Sequence, residues 1–196
     1  PVRLLYFTAL TIFLLSSSPL AYSQTSEVRP VARLVSTSVD SPRPRGVADV
    51  RTSVAVSAST PALAEANSIE RRAFDQTNAV RAQHGLEPFV WDPALCLLAR
   101  NHSTDMARLG YFSHATPDGQ RLKERARAAG IRFQVIAENI AYNMGYEDPG
   151  AFAVERWMTS PGHRANILYA GFTSMAVGTF VAPDGSVFLT QTFITR

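Results

Sequence analysis

Three short segments, each framed by Pro, Gly or Asn, bring one side chain that can carry a proton or bind a metal: His114, Glu138 and His163. These residues lie far apart along the chain. Together, two imidazoles and a carboxylate suit three kinds of site. They can bind Zn²⁺ and leave a water position open. They can perform acid–base chemistry, with a histidine as general base and Glu138 orienting it or acting as the acid. They can also form a buried polar network that ties loops to a sheet. Spacing alone does not decide among these.

The polar neighbours of these residues have simpler interpretations. Ser113 and Ser160 are possible nucleophiles, but neither lies in a recognisable nucleophile elbow, so we expect them in turns or caps. His102 falls on the apolar face of a predicted helix, which favours a core histidine bonded within the protein. Arg164 and Asn166 are expected to orient the loop that carries His163.

Local signals predict four helices. Asn67 and Glu70 have the spacing of a capping box. Asp92 is followed by Pro93, which suits an N-cap and the first helical position. After the fourth helix, Pro161 is expected to stop the chain from continuing as a helix. The predicted helices run from Asn67 to Gly85, from Asp92 to Gly110, through an arginine-rich stretch ending at Gly130, and from Asp148 to about Thr159.

Three β-rich runs accompany the helices, at 135–142, 172–181 and 187–193. The last two are joined by Ala182-Pro183-Asp184-Gly185, a short turn that requires antiparallel pairing. A sheet with helices on both faces would bury the most apolar surface. The pattern therefore predicts an α+β protein, a three-layer α-β-α sandwich with a small antiparallel three-stranded sheet between helices.

The N-terminal part resembles an export signal followed by a tether. Arg3 precedes an apolar run at 4–15, and small residues precede an expected cleavage after Ser23. The alternative is an uncleaved membrane anchor. Residues 24–65 are poor in core-forming side chains, which predicts a disordered linker. We expect a secreted, extracellular or cell-envelope location, with no integral membrane span after signal cleavage.

Charge and cysteine content exclude several classes of protein. The net charge is only +3, so a nucleic-acid partner is not expected. The basic residues between Arg121 and Arg132, which include Lys123, Arg125 and Arg127, are interpreted as a solvated helix face. The single cysteine, Cys96, rules out an intramolecular disulfide, and its apolar neighbours favour an inert buried thiol.

Further short segments occur in a characteristic order around the three candidate residues. With them, the chain resembles the bacterial branch of the CAP superfamily, the cysteine-rich secretory, antigen 5 and pathogenesis-related 1 proteins. The resemblance covers roughly residues 70–196, predicts a CAP (SCP-like) domain at 66–196, and implies the same three-layer fold. The segments are 78–81, 85–88, 91–95, 99–107, 171–173 and 190–193, in addition to 111–119, 137–141 and 157–168.

The resemblance also implies a cleft. Eukaryotic family members hold two histidines and two glutamates, of which His114 and Glu138 match the first of each kind. Ser160 and Phe188 stand at the other two positions. His163, in a segment typical of bacterial members, is the expected substitute. Activities of animal or plant relatives therefore do not transfer directly.

These observations predict an exported, disulfide-free CAP-domain protein that acts as a binding module. Its His114/Glu138/His163 cleft would hold a small ligand, a peptide, an envelope polymer or a divalent metal such as Zn²⁺. The alternatives are a secreted hydrolase that acts on peptide or cell-wall polymer through the same cleft, and a structural scaffold whose cleft is inert. A monomer is expected.

Overall fold

The computed structural model describes residues 31–36 and 65–196. The predicted signal sequence at 1–23 and most of the predicted linker at 24–65 lie outside these ranges and stay predictions. The helices are α1 (Ser68–Gln83), α2 (Pro93–Leu109), α3 (Leu122–Ala128), α4 (Pro149–Thr159) and α5 (Pro161–Leu168); the strands are β1 (Val31–Ser36), β2 (Val90–Trp91), β3 (Val135–Met144), β4 (Ser174–Val181) and β5 (Val187–Thr195).

The helix starts follow the predicted capping chemistry. The Asn67 side chain accepts from the backbone N of Glu70, and the Glu70 carboxylate accepts from the backbone N of Asn67, both at 2.9 Å. Asp92 accepts from the first turn of α2, whose first residue is Pro93. The capping box and the proline start are both confirmed, because each satisfies backbone N–H groups that have no partner inside the helix.

The fifth helix was not predicted. Pro161 was expected to end helical structure, and it does end α4, but it is also the first residue of α5. A proline is tolerated there because the first helical N–H has no partner within the helix in any case. The expected loop around His163 is therefore a helix, and its side chain projects from a regular backbone.

The sheet is wider than predicted. Its order is β1-β3-β5-β4-β2, and the three long strands β3, β5 and β4 pair antiparallel, as expected. Two edge strands correct the three-stranded prediction. β2 pairs parallel with β4. It has only two residues, which are too few to show a recognisable strand pattern in the sequence. β1 lies within the predicted disordered linker yet pairs antiparallel with β3, so this part of the linker forms a strand.

Two helical layers cover the sheet, which confirms the α-β-α class. On one face, α1, α4 and α5 pack onto the sheet around Phe74, Trp157 and Phe193. On the other, α2 and α3 pack around Leu95 and Ile136. Side chains alternate along β3, so neighbouring residues of this strand face different helical layers.

Two further expectations concern the thiol and the membrane. Cys96 is fully buried and free; burial raises its pKa to about 12, so the thiol stays protonated, as predicted. Among the helices of the described ranges, none has the length and apolar character needed to cross a bilayer.

Candidate functional site

Glu138 is the centre of a buried charged cluster. Its side chain is fully buried on the β3 face that α2 and α3 cover. The Nδ1 atom of His114 lies 2.8 Å from Glu138 Oε1. Nη2 of Arg125 donates to both carboxylate oxygens, at 3.0 and 2.9 Å. The structure thus brings His114 and Glu138 together and adds a cation from α3, Arg125.

Arg125 corrects the interpretation of the basic cluster. It was assigned to a solvated helix face, but its side chain is only 9% exposed and also donates to the backbone O of His114. The helical periodicity of α3 could have predicted this burial. Leu122 and Ala126 are buried, and Arg125 lies three residues after Leu122, on the same side of the helix. The arginine density of this helix concealed the one arginine that faces inward.

The cluster keeps Glu138 ionised. Burial on its own would raise the pKa of this carboxyl, but the charge of Arg125 and the hydrogen bond from His114 outweigh burial and lower the pKa to about 2. A carboxylate with this pKa does not donate a proton at neutral pH, and it is a poor general base. The geometry therefore assigns Glu138 to holding Arg125 and His114 in place.

His102 completes the cluster in its neutral form. It lies on α2 with Nε2 3.8 Å from Glu138 Oε1 and 3.0 Å from the backbone O of Ser113. Burial lowers its pKa to about 4, so the ring is uncharged at neutral pH and its Nε2–H donates to Ser113. The expectation of a core histidine is confirmed. Ser113 in turn accepts from the backbone N of Ala115, a turn role as predicted.

His163 approaches the same point of β3 from the other layer. It is 2% exposed on α5. Its backbone O accepts from the side chain of Asn139 at 3.3 Å, and Asn166 of the same helix donates to Asn139 Oδ1 at 2.8 Å. Asn166 thus orients α5, as expected. The α5 backbone meets the face of Asn139, whereas the carboxylate of Glu138 points to the α2/α3 face.

A surface cavity adjoins the cluster. It has a volume of about 340 Å³ and opens beside Arg125, the only member of the cluster among its lining residues. Its other walls come from the end of α2 and from the turn after His114. That turn is held by Thr116, which accepts from the backbone N of Gln120 at 2.9 Å. The lining residues are Asp105, Leu109, Thr116, Pro117, Asp118, Gln120 and Arg125.

Sequence reasoning did not single out the acidic wall of this cavity. Asp105 and Asp118 contribute two carboxylates to this wall. The pKa of Asp118 is lowered, chiefly by a hydrogen bond from the Thr116 side chain. The charge of Arg125 is balanced by Glu138. The cavity is therefore net negative. The two aspartates come from a helix and from a turn, so no sequence spacing links them.

The buried cluster is a poor metal site. Both oxygens of Glu138 accept from Arg125, whose positive charge would repel a divalent cation. Nδ1 of His114 is engaged by the same carboxylate. Across residues 31–36 and 65–196, no group of three or more His, Cys, Asp or Glu side chains is placed to hold a metal ion. The donor set does not fit the predicted Zn²⁺.

The cluster predicts how stability changes with pH. Because His102 has a lowered pKa, its contribution to the free energy of unfolding is lost as pH falls from about 6.5 to 4. Glu138, also lowered, loses its contribution as pH falls from about 4.5 to 2. Each step is worth about 3 kcal/mol. Urea titrations from pH 7 to pH 2.5 measure this loss.

A matched variant identifies the second step. Glu138→Gln has no titrating carboxyl, so its stability is expected to stop falling below about pH 4 from this source. If the free energy of unfolding of the variant falls below about pH 4 as steeply as that of the wild type, other carboxyls cause the loss.

The comparison with protein families decides the identity of the fold. Residues 74–193, which include β3 and α5, match the model of the family described as CAP, the cysteine-rich secretory protein family. The chain belongs to the CAP family. The resemblance seen in the sequence is therefore confirmed, and the buried Glu138 cluster is a feature of a CAP domain.

Two curated relatives come from Bacillus subtilis (strain 168). The "Uncharacterized membrane protein YlbC" is 39% identical over 127 residues, which cover 65% of this chain and 34% of the relative. The "Uncharacterized protein YkwD" is 36% identical over 135 residues, which cover 69% and 50%. The chain thus spans a third to a half of the length of these relatives.

Solved structures agree on the fold. An extracellular protein with an SCP domain from Bacillus anthracis has a TM-score of 0.58 at 34% identity, and the match covers 65% of this chain and 40% of that one. An outer surface protein from Borrelia burgdorferi also has a TM-score of 0.58, but at 17% identity, covering 64% and 91%. The second likeness shows the fold alone.

Proposed function

We propose that this CAP domain is an extracellular or envelope-facing binding module whose ligand occupies the cavity beside Arg125. The observation that carries the proposal is the cavity itself, because its volume of about 340 Å³ falls in the range of ligand pockets. The similarity to an SCP-domain protein named as extracellular, together with the predicted signal sequence, supports the location.

The cavity lining suggests the chemical class of the ligand. Asp105 and Asp118 supply negative charge, Thr116 and Gln120 supply hydrogen-bonding groups, and Leu109 supplies an exposed apolar surface. This combination suits a hydroxyl-bearing ligand with a cationic group, such as an amine-bearing saccharide of an envelope polymer. A strongly anionic ligand would be repelled by the charges of the two aspartates.

In this proposal the buried cluster supports the cavity and does not itself react. Arg125 connects the carboxylate of Glu138 to the backbone O of His114, and the turn that follows His114 forms one wall. Acid–base hydrolysis through Glu138 has no support from a carboxyl whose pKa is about 2. Metal binding at the cluster is disfavoured, since Arg125 donates to both oxygens of Glu138.

A pair of matched saccharides tests the proposal. Short glucosamine oligomers carry amines, and their N-acetylated counterparts have the same backbone without the charge. We expect the amine form to shift the amide NMR signals of Gly119 and Gln120 and the N-acetylated form to do so more weakly. Asp105→Asn is expected to weaken the amine form several-fold, in keeping with about 1 kcal/mol for a partly exposed charge pair.

Asp184→Asn is the control variant, because it removes an aspartate charge from the β4–β5 connection, outside the cavity lining. It should leave binding unchanged. If neither saccharide shifts these amides, or if both aspartate variants act alike, the proposed ligand class is wrong.

A further inference from the structure

β1 covers an edge of the sheet that the CAP domain itself leaves open. Its six residues pair with β3 in antiparallel register, from Val31 opposite Met144 to Ser36 opposite Asn139. The family match begins at residue 74, so β1 comes from outside the matched domain. An uncovered β3 would present a row of free N–H and C=O groups, which can pair with another extended chain.

The covered edge runs past the buried cluster. The guanidinium of Arg33 lies 5.5 Å from the ring centroid of Phe112, two residues before His114. At its other end, β1 reaches Asn139, which adjoins Glu138, and β1 also contacts α5. This strand therefore lies along the side of the domain where α5 and the turn after His114 approach β3.

We propose that residues 31–36 are a removable strap over a peptide-docking edge. When the strap leaves, an extended polypeptide pairs with β3 in its place, with a basic residue opposite Tyr142 where Arg33 now lies. This site is separate from the cavity beside Arg125 and does not depend on a ligand there.

Two observations favour an exchangeable strand. The pairing joins main-chain groups, and such bonds form with any extended segment. Arg33, the strap residue whose side chain the structure describes, is exposed, and its contact is the face of an aromatic ring. An aromatic face selects for a cation without requiring one particular sequence.

Hydrogen exchange on the full chain tests whether the strap opens. Within Asn139–Met144, alternate amides point to β1, and the others point to β5. Opening of the strap exposes only the first set. We expect that set to exchange at least 100-fold faster than the second. Equal protection of both sets would overturn the proposal, because it would mean that β1 leaves only when the whole sheet unfolds.

A proline pair and a labelled peptide test the docking. In Leu34→Pro and Val35→Pro, adjacent N–H groups that point to opposite sides are removed, so one variant loses a bond to β3 and the other is its control. The probe is a fluorescent peptide with the sequence of residues 31–36, measured by anisotropy with the full chain. We expect the variant that loses the bond to bind it at least tenfold more tightly than the wild type, since the strap no longer competes.

The same peptide with glutamate in place of its arginine should bind several-fold more weakly. The far-ultraviolet circular dichroism of both variants should match the wild type, and the variant that loses the bond should melt only a few degrees lower and still cooperatively, which separates loss of the strap from loss of the fold. Absence of peptide binding to both proline variants, or equal binding of the two peptides, would overturn the proposed docking edge or its preference for a basic residue, respectively.

Discussion

Arg125→Met is expected to lower the free energy of unfolding by about 3–5 kcal/mol. Methionine retains the unbranched apolar stem but removes the cation that both oxygens of Glu138 accept from. A fully buried carboxylate without a cation partner is costly, so its pKa should rise toward or above its ordinary range. Urea denaturation at pH 7 measures the loss.

Arg127→Met is the matched control. Arg127 is on the same helix, but its side chain is 59% exposed and its carboxylate partner, Glu124, is also exposed. We expect a change within about 0.5 kcal/mol. The double variant Arg125→Met/Glu138→Gln should recover part of the loss, because it removes the charge that was left unpaired. Equal losses at 125 and 127 would show that the buried ion pair does not stabilise the fold.

Gly178→Ala is expected to cost more than about 3 kcal/mol or to prevent folding. Gly178 lies on β4 where α2 crosses the sheet, and its backbone O accepts from Ser103 at 2.9 Å. A Cβ placed there would lie 2.1 Å from the backbone N of Arg100 and 2.4 Å from the backbone C of Ala99. Backbone atoms inside a helix cannot move aside, so the whole helix would have to shift. Thermal and urea denaturation measure the loss.

Gly171→Ala provides a control with a similar nominal clash. Its Cβ would lie 2.5 Å from Cε1 of Tyr169, but this ring is 40% exposed and can rotate away. A cost below about 1 kcal/mol is expected. Similar costs at the two glycines would indicate that α2 adapts to the added methyl group.

The buried cluster and the cavity have different roles: the cluster joins structural elements, and the cavity offers an exposed surface. Glu138 and His102 are buried, Arg125 is nearly buried at the edge of the cavity, and together they join β3 to α3 and α2. The cavity lies outside them and exposes the polar groups that a ligand would meet. In the proposed function, this arrangement would place the binding surface on a rigid support, and the support residues would affect binding through the position of the turn after His114.

Most of the fold was predictable because its signals are local. The capping box at Asn67 and the Asp92-Pro93 start use contacts within four residues, and both helices begin as predicted. The two C-terminal strands are joined by a short turn, so their antiparallel pairing followed from chain connectivity. The family resemblance rested on many short segments in order, and the family match confirmed it.

The prediction was wrong where local signals have two meanings. Pro161 ends one helix and begins the next, and a proline is compatible with both. Residues 31–36 have no distinctive pattern, but pairing with β3 makes them a strand. In each case the outcome depends on what the rest of the chain places beside the segment.

The amino-acid sequence was sufficient to establish the CAP fold, the proximity of His114 to Glu138 as an expectation, and the inert character of Cys96. Tertiary packing decided the chemistry of the site. It turned Arg125 inward against Glu138, which keeps the carboxylate ionised, and it joined Asp105 and Asp118 in one cavity. The pKa of a carboxyl depends on charges within a few ångströms, and those charges come from residues that the chain brings together only when it folds.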